Sequence, residues 1–449
     1  MMFIEFILEK SKIIGPLIII GGLLIAAFGK SRWQYYPVYL LFILYIILIM
    51  INNSKPLELN TSMVRWVLGI GIFLIATTII FLLVLPKEKL SIPSGQFRVG
   101  TRIYELEDET RNEIYSEKKN DKRKIKYQVW YPAEKTEGYK KAKWIDEGVI
   151  LTRQLARSMH MPFFMLDHTA VISSNSYFDA PINNTLDTYP VVIISHGWRG
   201  FRSLHTDYAE ELASNGFIVI SIDHTYGSEA VKFEDGSLAY LNEEALSSLA
   251  KPSKYDKDST ILVTTYGKDV ASVIDDLEKL NSTNPDLKGK LDLESIGLLG
   301  HSTGGGGDVY ISLKDKGIKA LLGLDAWVKP IESELEQGLS IPSLFLRSGE
   351  WSEGPNNSAL YLLINNSENA TLIQMNETTH VDFTRAYMYS PILKYVGFTG
   401  KSGGREALGI QKEFILNFFD KNLKNYDKDE NYLLGIVDKY DNIELVNVH

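Results

Sequence analysis

Three uncharged, predominantly apolar runs fall within the first ninety residues: Ile13–Phe28, Tyr35–Ile51 and Trp66–Leu85. A hydrocarbon core ~30 Å thick takes about 20 helical residues to cross, and about 17 is near the lower limit. The third run, at 20 residues, is long enough alone. The first two, at 16 and 17, are flanked by Lys30, Arg32, Trp33, Tyr35 and Tyr36, residue types that anchor at a membrane interface. Helices apolar on every face argue against a buried soluble bundle. Lys10 and Lys12 ahead of the first run, with Ala26-Ala27 at its end, also suit a cleaved signal peptide, yet two further runs would still hold the chain. The expectation is a three-helix transmembrane anchor over residues 1–90, with spans of about 13–28, 35–51 and 66–85.

Charge changes where hydropathy does. Residues 1–90 hold eight Lys/Arg against four Asp/Glu, whereas the remaining 359 hold 39 against 52. The overall charge of −9 argues against a nucleic-acid partner, whose phosphates need Lys and Arg. An odd number of spans puts the N-terminus and the large domain on opposite faces. The flanking cations do not orient them, since Lys10, Lys12, Lys55 and Arg65 balance Lys30, Arg32, Lys87 and Lys89. The chain has no cysteine, which excludes disulfides, thiolate metal sites and a cysteine nucleophile. That absence leans towards an exported domain, so a multi-pass cell-membrane protein with an extracytoplasmic catalytic domain is expected.

Pro86–Gly95 reads as an exit linker. Beyond it, 91–449 alternates strand and helix patterns. Strands are expected at Ile125–Trp130, Val191–Ser195, Phe217–Asp223, Ser295–Leu299, Ala320–Leu324, Ser343–Arg347 and Thr371–Met375. Several are continuous in Ile, Val and Leu, as strands covered on both faces are. Helices are expected at Thr206–Ser214, Thr260–Leu280, Gly306–Lys314 and about Glu406–Leu423. This alternation predicts one α/β domain with a mostly parallel sheet flanked by helices.

The chemistry lies at strand ends. Ser295–Leu299 runs into Gly300-His301-Ser302-Thr303-Gly304 and then a helix pattern, the strand–turn–helix context in which G-x-S-x-G presents a nucleophile. The glycine run Gly304–Gly307 lacks the G-K-[ST] ending of a phosphate loop. A serine hydroxyl needs a base to take its proton, usually a histidine held by a carboxylate, in the chain order Ser, acid, His. Downstream of Ser302 the histidines are His380, just past a strand, and the terminal His449. His380 is therefore the expected base. Asp325 ends the strand Ala320–Leu324 at the edge where open sheets bind ligands. Asp308 and Asp315 fall in the helix after Ser302, and Asp382 lies beside the base, which leaves Asp325 as the expected acid. An oxyanion needs two preorganised donors: the backbone N–H of Thr303, after the nucleophile, and that of Trp198 in the loop Ser195-His196-Gly197-Trp198. His196 is read as orienting that loop.

These residues resemble the α/β-hydrolase family of plasma-type platelet-activating-factor acetylhydrolases, over roughly Gly95 to Leu423. The resemblance runs through Val99-Gly100-Thr101, Val129-Trp130-Tyr131-Pro132, Ser195-His196-Gly197, Leu212–Val219 and Gly300-His301-Ser302. Leu324-Asp325-Ala326-Trp327 is similar to the segment that holds the family's catalytic aspartate, and Thr379-His380 matches the place of its base. It implies Ser302, Asp325 and His380 as the triad, Trp198 and Thr303 at the oxyanion hole, and cleavage of short or oxidised acyl chains from phospholipids without a metal. No cofactor is expected. Thr303 stands where the family commonly has a bulkier residue. Gly304–Gly307 resembles a run in bacterial polyester hydrolases and cutinase-like lipases, and the secreted members lack membrane spans.

Weaker features complete the reading. Six basic residues within Lys118–Lys126 suggest a solvated hairpin, with anionic lipid contact as the lesser alternative. Leu151, Leu155 and Met159 form a helical stripe before Pro162-Phe163-Phe164, read as core, with a lid or acyl-pocket wall over 149–166 as the alternative. Asp223-His224 lacks the spaced partners of a metal site. The expected function is a membrane-anchored serine hydrolase cleaving esters of lipids or small molecules through an acyl-enzyme. Alternatives are a polyester hydrolase, cutinase-like lipase or carboxylesterase, a peptidase with the same triad, and a non-catalytic hydrolase-like binding protein.

Overall fold

The computed structural model describes residues 21–22, 32–55, 57, 60–424 and 431–448. Of the three apolar runs, Ile13–Phe28 lies outside the described residues apart from Gly21 and Gly22. The other two form α1 (Tyr36–Ser54) and α2 (Thr61–Val84). These are two helices long and apolar enough to cross a membrane. The Asn60 side chain caps α2 by accepting from Met63 N at 2.9 Å.

In the domain, β1 (Arg98–Asn112) and β2 (Lys122–Ala133) form a long hairpin, followed by the short strands β3 (Lys141–Lys143) and β4 (Ser173–Phe178). β5 (Tyr189–Ser195) and β6 (Ile218–Asp223) begin the parallel centre. β7 (Ala230–Lys232) and β8 (Leu238–Tyr240) make a separate hairpin. β9 (Leu291–His301), β10 (Ile318–Leu324), β11 (Ser343–Ser348) and β12 (Ala370–Met375) complete the centre, and β13 (Ile443–Leu445) closes one edge. The sheet order is β13-β12-β11-β10-β9-β5-β6-β2-β1-β4-β3. The six strands from β12 to β6 run parallel, while β2 joins them antiparallel. Chain order reverses at β5, between β6 and β9, and such a reversal opens a crevice at the carboxyl ends of the strands.

The helices are α3 (Val149–Ser158), α4 (Thr206–Ser214), α5 (Pro252–Thr283), α6 (Thr303–Ser312), α7 (Pro355–Asn366), α8 (Arg405–Leu423) and α9 (Tyr432–Val437). Strand alternation splits the core in two. Val191, Ile193, Leu298 and Leu321 pack with Val263 and Val270 of α5, Val309 of α6 and Leu363 of α7. Val192, Ile194, Leu299 and Leu322 face the other way, onto Tyr208 and Leu212 of α4 and Phe414 and Phe418 of α8. Each such side chain contributes roughly 1.5–3 kcal/mol on burial, so the sheet is fixed from both faces.

Four readings need correction. The helix after Ser302 starts at Thr303 rather than Gly306, and the glycine run lies inside it. A Cβ on Gly305 would meet Ala326 Cβ at 2.8 Å, and one on Gly307 would meet Tyr266 Cβ at 2.8 Å. These glycines serve close packing at the cost of helix propensity, which hid the boundary. α5 is longer than Thr260–Leu280 because Pro252 starts it in its first turn. The basic run 118–126 is not wholly solvated. Arg123 is buried between Glu113 (2.7 Å) and Asp269 (3.0 Å from Nε), and Lys126 is held by Glu105 (3.2 Å) and the Lys232 carbonyl. Finally, Leu151 and Leu155 are core, packed with Trp144, Phe201 and Tyr389, but Met159 at the end of the stripe is exposed.

Candidate active site

β5, β9, β10, β11 and β12 end side by side. Ser195 pairs with Gly300, His301 with Leu324, Leu324 with Leu346, and Ser348 with Met375. Every expected site residue lies just beyond these ends. Ser302 follows β9 with φ 54° and ψ −121°, a conformation that costs a non-glycine residue about 1–3 kcal/mol. Its neighbours hold it there: Ser302 N donates to Leu324 O (3.0 Å), and Trp327 N and Gly306 N donate to Ser302 O (2.9 and 3.0 Å). The motif's glycines are sterically required. A Cβ on Gly300 would lie 2.5 Å from Gly305 Cα, and one on Gly304 would lie 2.6 Å from His196 O.

The loop after β12 is pinned by Asp382. Its carboxylate accepts from Thr379 N (2.8 Å), Gly400 N (2.8 Å) and Gly404 N (3.3 Å). That turn presents His380, whose Nε2 lies 3.1 Å from Ser302 Oγ and whose Nδ1 lies 3.0 Å from Asp325 Oδ2. The Asp325 side chain is buried while that of His380 keeps 23% exposure, so the base can reach a substrate and its partner cannot. Asp325 Oδ1 accepts from Ser348 N (2.7 Å), and Oδ2 also accepts from Ser348 Oγ (2.6 Å). With Nδ1–H donating to Asp325, the Nε2 lone pair is free to accept the Ser302 proton.

The other carboxylates have different partners. Asp315 accepts from Gly317 N (2.8 Å), and Asp308 accepts from Ser195 Oγ (2.7 Å) behind the elbow. Burial raises the Asp308 carboxyl to about 8, so it is largely neutral at pH 7. Asp223 accepts from Arg202 N (2.7 Å), and His224 bonds Asp269 at 3.1 Å. Among the described residues no group of three His, Asp or Glu could hold a metal ion. His449 lies outside the described residues.

On the oxyanion side, a Cβ on Gly197 would sit 2.9 Å from Ser302 Cβ, so the loop after β5 lies directly against the elbow. His196 fixes that loop from below. Its Nδ1–H donates to Gly197 O (2.7 Å) and its Nε2 accepts from His224 N (3.3 Å). Among the described residues, the N–H groups of Trp198 and Thr303 donate to no protein acceptor. Thr303 is also the first residue of α6, where the helix dipole favours negative charge. Burial holds His196 and His301 well below the ordinary histidine value, so neither places a positive charge beside His380.

Three residues were missed from sequence. Ser348 orients Asp325. The Trp351 ring stacks on the His380 ring with centroids 4.2 Å apart and planes at 4°. Glu350 Oε2 accepts from His380 N (2.7 Å). Ser348 ends β11, and Glu350 and Trp351 follow it, at the edge already singled out for Asp325, so the strand-end rule was the available signal. Trp351 also lines a cleft of about 960 Å³ with Trp327, Tyr255, Lys329 and Glu350, large enough for a drug-sized ligand.

Comparison with known proteins gives a concordant picture. The family described as platelet-activating factor acetylhydrolase, isoform II, matches residues 83–439. The platelet-activating factor acetylhydrolase of Canis lupus familiaris is 24% identical over 313 residues, 62% of this chain and 68% of the dog protein. That of Bos taurus is 27% identical over 281 residues, covering 56% and 62%. A probable 1-alkyl-2-acetylglycerophosphocholine esterase of Arthroderma benhamiae is 24% identical over 280 residues, covering 56% and 64%. The chain thus spans about two thirds of the length of these relatives. Among solved structures, a ferulic acid esterase from Streptomyces cinnamoneus shares the fold with a TM-score of 0.62 at 20% identity, covering 80% of this chain and 100% of that one.

Proposed function

The chain belongs to the platelet-activating factor acetylhydrolase, isoform II, family, a family of ester hydrolases, and from that premise we propose that it is a membrane-anchored serine hydrolase acting on lipid esters through an acyl-enzyme. The observation that carries the reading is the linear relay Ser302 Oγ–His380 Nε2 (3.1 Å) and His380 Nδ1–Asp325 Oδ2 (3.0 Å). As Ser302 Oγ attacks the ester carbonyl, His380 takes its proton, and Asp325 stabilises the imidazolium without accepting that proton. The N–H groups of Trp198 and Thr303 receive the developing oxyanion. His380 then protonates the departing alkoxide, leaving an acyl group on Ser302. Water activated by the same histidine releases the acid.

Short-chain phospholipids are the proposed substrates, on the strength of the relatives' names. The membrane part of the proposal draws on α1 and α2, whose Ile43, Ile72, Phe73 and Leu83 point outwards. We divide the chain into an anchor, 1–90, and a catalytic domain, 91–449. Leu90, the last residue of that anchor, packs in the domain's third core with Trp144, so the two parts meet at this point.

Labelling of the full-length protein in detergent with a fluorophosphonate tests the mechanism. Stoichiometric labelling is expected in the native chain, with none in Ser302→Ala and little in His380→Ala. Label or ester turnover that persists in Ser302→Ala overturns the triad, and a well-folded native chain that never labels points to a binding protein.

A further inference from the structure

The ends of the apolar helices are built into both flanks of the site. Trp33, just before α1, is buried, with its ring 4.9 Å from that of Phe81 on α2 and 5.0 Å from that of Phe164 in the domain. Its Nε1–H donates to Met165 O (3.3 Å). Arg32 and Gln34 donate to Leu85 O (2.9 and 3.2 Å), which ties the start of α1 to the end of α2. On the opposite flank, Ser390 Oγ donates to Val84 O (2.6 Å).

Both contacts lead to the chemistry. Phe164 and Met165 belong to the segment after α3, and Leu151, Leu155 and Leu166 of this region share a small core with residues from two sides. Phe201 and Leu204 directly follow the oxyanion loop, and Ala386, Met388 and Tyr389 follow the His380 turn. Hydrogen bonds reinforce each connection. Ser158 Oγ donates to Glu229 (2.6 Å), whose N–H donates to Gly200 O (3.0 Å) in the oxyanion loop. The His168 ring lies 3.0 Å from Tyr389 O, one residue from the Ser390 contact. The wall formed by α3 and residues 159–172 thus bridges the oxyanion side and the base side, and Trp33 braces it from the helices.

We propose that the anchor is a positioning element of the active site: Trp33, through Phe164 and Met165, holds this wall in place and so sets the entrance by which an ester embedded in the bilayer reaches Ser302. The proposal rests on the membrane-anchored hydrolase reading. It follows from where the helices end. α1 begins and α2 finishes at this junction, so the wall lies at the level of the bilayer surface. Met159 and Phe163 are exposed there, with the Arg153 and Arg157 guanidinium groups 5.4 and 5.9 Å from the Phe163 ring centre, the apolar body and charged rim of an interfacial surface. A small soluble ester arriving from water has no need of that entrance.

The test uses full-length protein in vesicles with two substrates, a short water-soluble ester and a fluorogenic ester lipid embedded in the bilayer. Trp33→Ala and Phe164→Ala are expected to raise KM for the embedded ester about tenfold with kcat within about twofold, since a packed aromatic brace is lost while the reacting groups are untouched. Turnover of the soluble ester and fluorophosphonate labelling stay at the native level. Trp33→Phe, which keeps a ring, restores most of the loss. Unchanged KM on the embedded ester overturns the proposal, as does an equal loss on both substrates. Should Trp33→Ala fail to fold, Ser390→Ala removes the contact to Val84, together with the local cap on Ile392 N, and carries the same readout. A native chain that does not label is a failure of the hydrolase reading itself, seen without any substitution.

Discussion

Val192, Leu298, Leu322 and Leu344 in the central strands have no exposed surface, whereas Ile72, Phe73 and Leu83 on α2 are each 68% exposed. The two regions are similarly apolar and bury themselves by opposite routes. In the domain, alternate strand residues meet helices from both sides, so the chain supplies its own apolar solvent. In α1 and α2 the backbone is satisfied internally, but most side chains face outwards: Val64, Leu74 and Thr78 of α2 are buried, and no residue of α1 is. In the proposed anchor the medium around those side chains is lipid, which removes apolar surface from water without a protein partner. The region where the two regimes meet, around Trp33 and Leu85, is packed as the domain is.

The sharpest break of this comparison comes from placing the same charge in each region. Val192→Asp puts an unpaired carboxylate between β5 and its helices and should cost more than about 4 kcal/mol, enough to remove folded protein. Ile72→Asp should leave the thermal unfolding of the domain in detergent unchanged, while weakening membrane retention by about 2.5–3.5 kcal/mol if the residue lies near the bilayer centre. Melting curves and flotation with vesicles distinguish the two. Loss of the folded domain in Ile72→Asp would show that α2 is core rather than anchor.

Within the domain, self-sufficiency extends to the polar groups of the site, and it can be graded. Asp325→Asn keeps the shape but removes the acceptor that sets the His380 tautomer, and kcat should fall by about 10³–10⁴. Ser348→Ala deletes one of the two hydrogen bonds that Ser348 donates to Asp325 and leaves the backbone N–H in place. A loss of about tenfold in kcat with KM unchanged is expected, the scale of one hydrogen bond to a charged group. Steady-state kinetics on a soluble ester separates these values. Equal effects from both variants would mean that Ser348 is as indispensable as the acid itself.

What could be read from sequence follows the same division between local and distant causes. Ser302 and Asp325 sit directly after a strand and His380 a short loop beyond one, and the apolar runs make these strands apparent, so linear order gives their edge of the sheet. Ser348 and Trp351 reach Asp325 and His380 across space, so the end of β11 marks their place in the sequence but not their partners. β1, with Glu105, Glu107, Asp108 and Glu109, hides its pairing with β2 behind charge. Trp33 reads as an interfacial anchor because Trp at a span boundary usually is one. Its burial against Phe164 depends on a residue 131 positions away. Gly304–Gly307 argues against a helix until their neighbours Ala326, Trp327 and Tyr266 are known.

The smallest effect concerns how the domain treats carboxyls it buries without a cation. Asp308, bonded to Ser195, is raised by burial to about 8, and Glu210 and Glu229 are raised by burial to about 7. In the unfolded chain these groups titrate near ~4, so they hold extra protons in the native state between about pH 4.5 and 8, while His168, His196, His205, His224 and His301, all lowered by burial, act in the opposite sense below about pH 7. Above about pH 7, where those histidines are neutral in both states, stability must fall as pH rises towards 8, in contrast to ion-paired carboxylates such as Asp269, held well below the usual range by Arg123 despite burial. The melting temperature of the full-length protein in detergent should therefore drop from pH 7 to pH 8. Asp308→Asn, neutral at every pH, should flatten the upper part of that fall by about 2 °C. A melting temperature that rises over this range, or a slope unchanged in Asp308→Asn, would mean that Asp308 is ionised in the native protein.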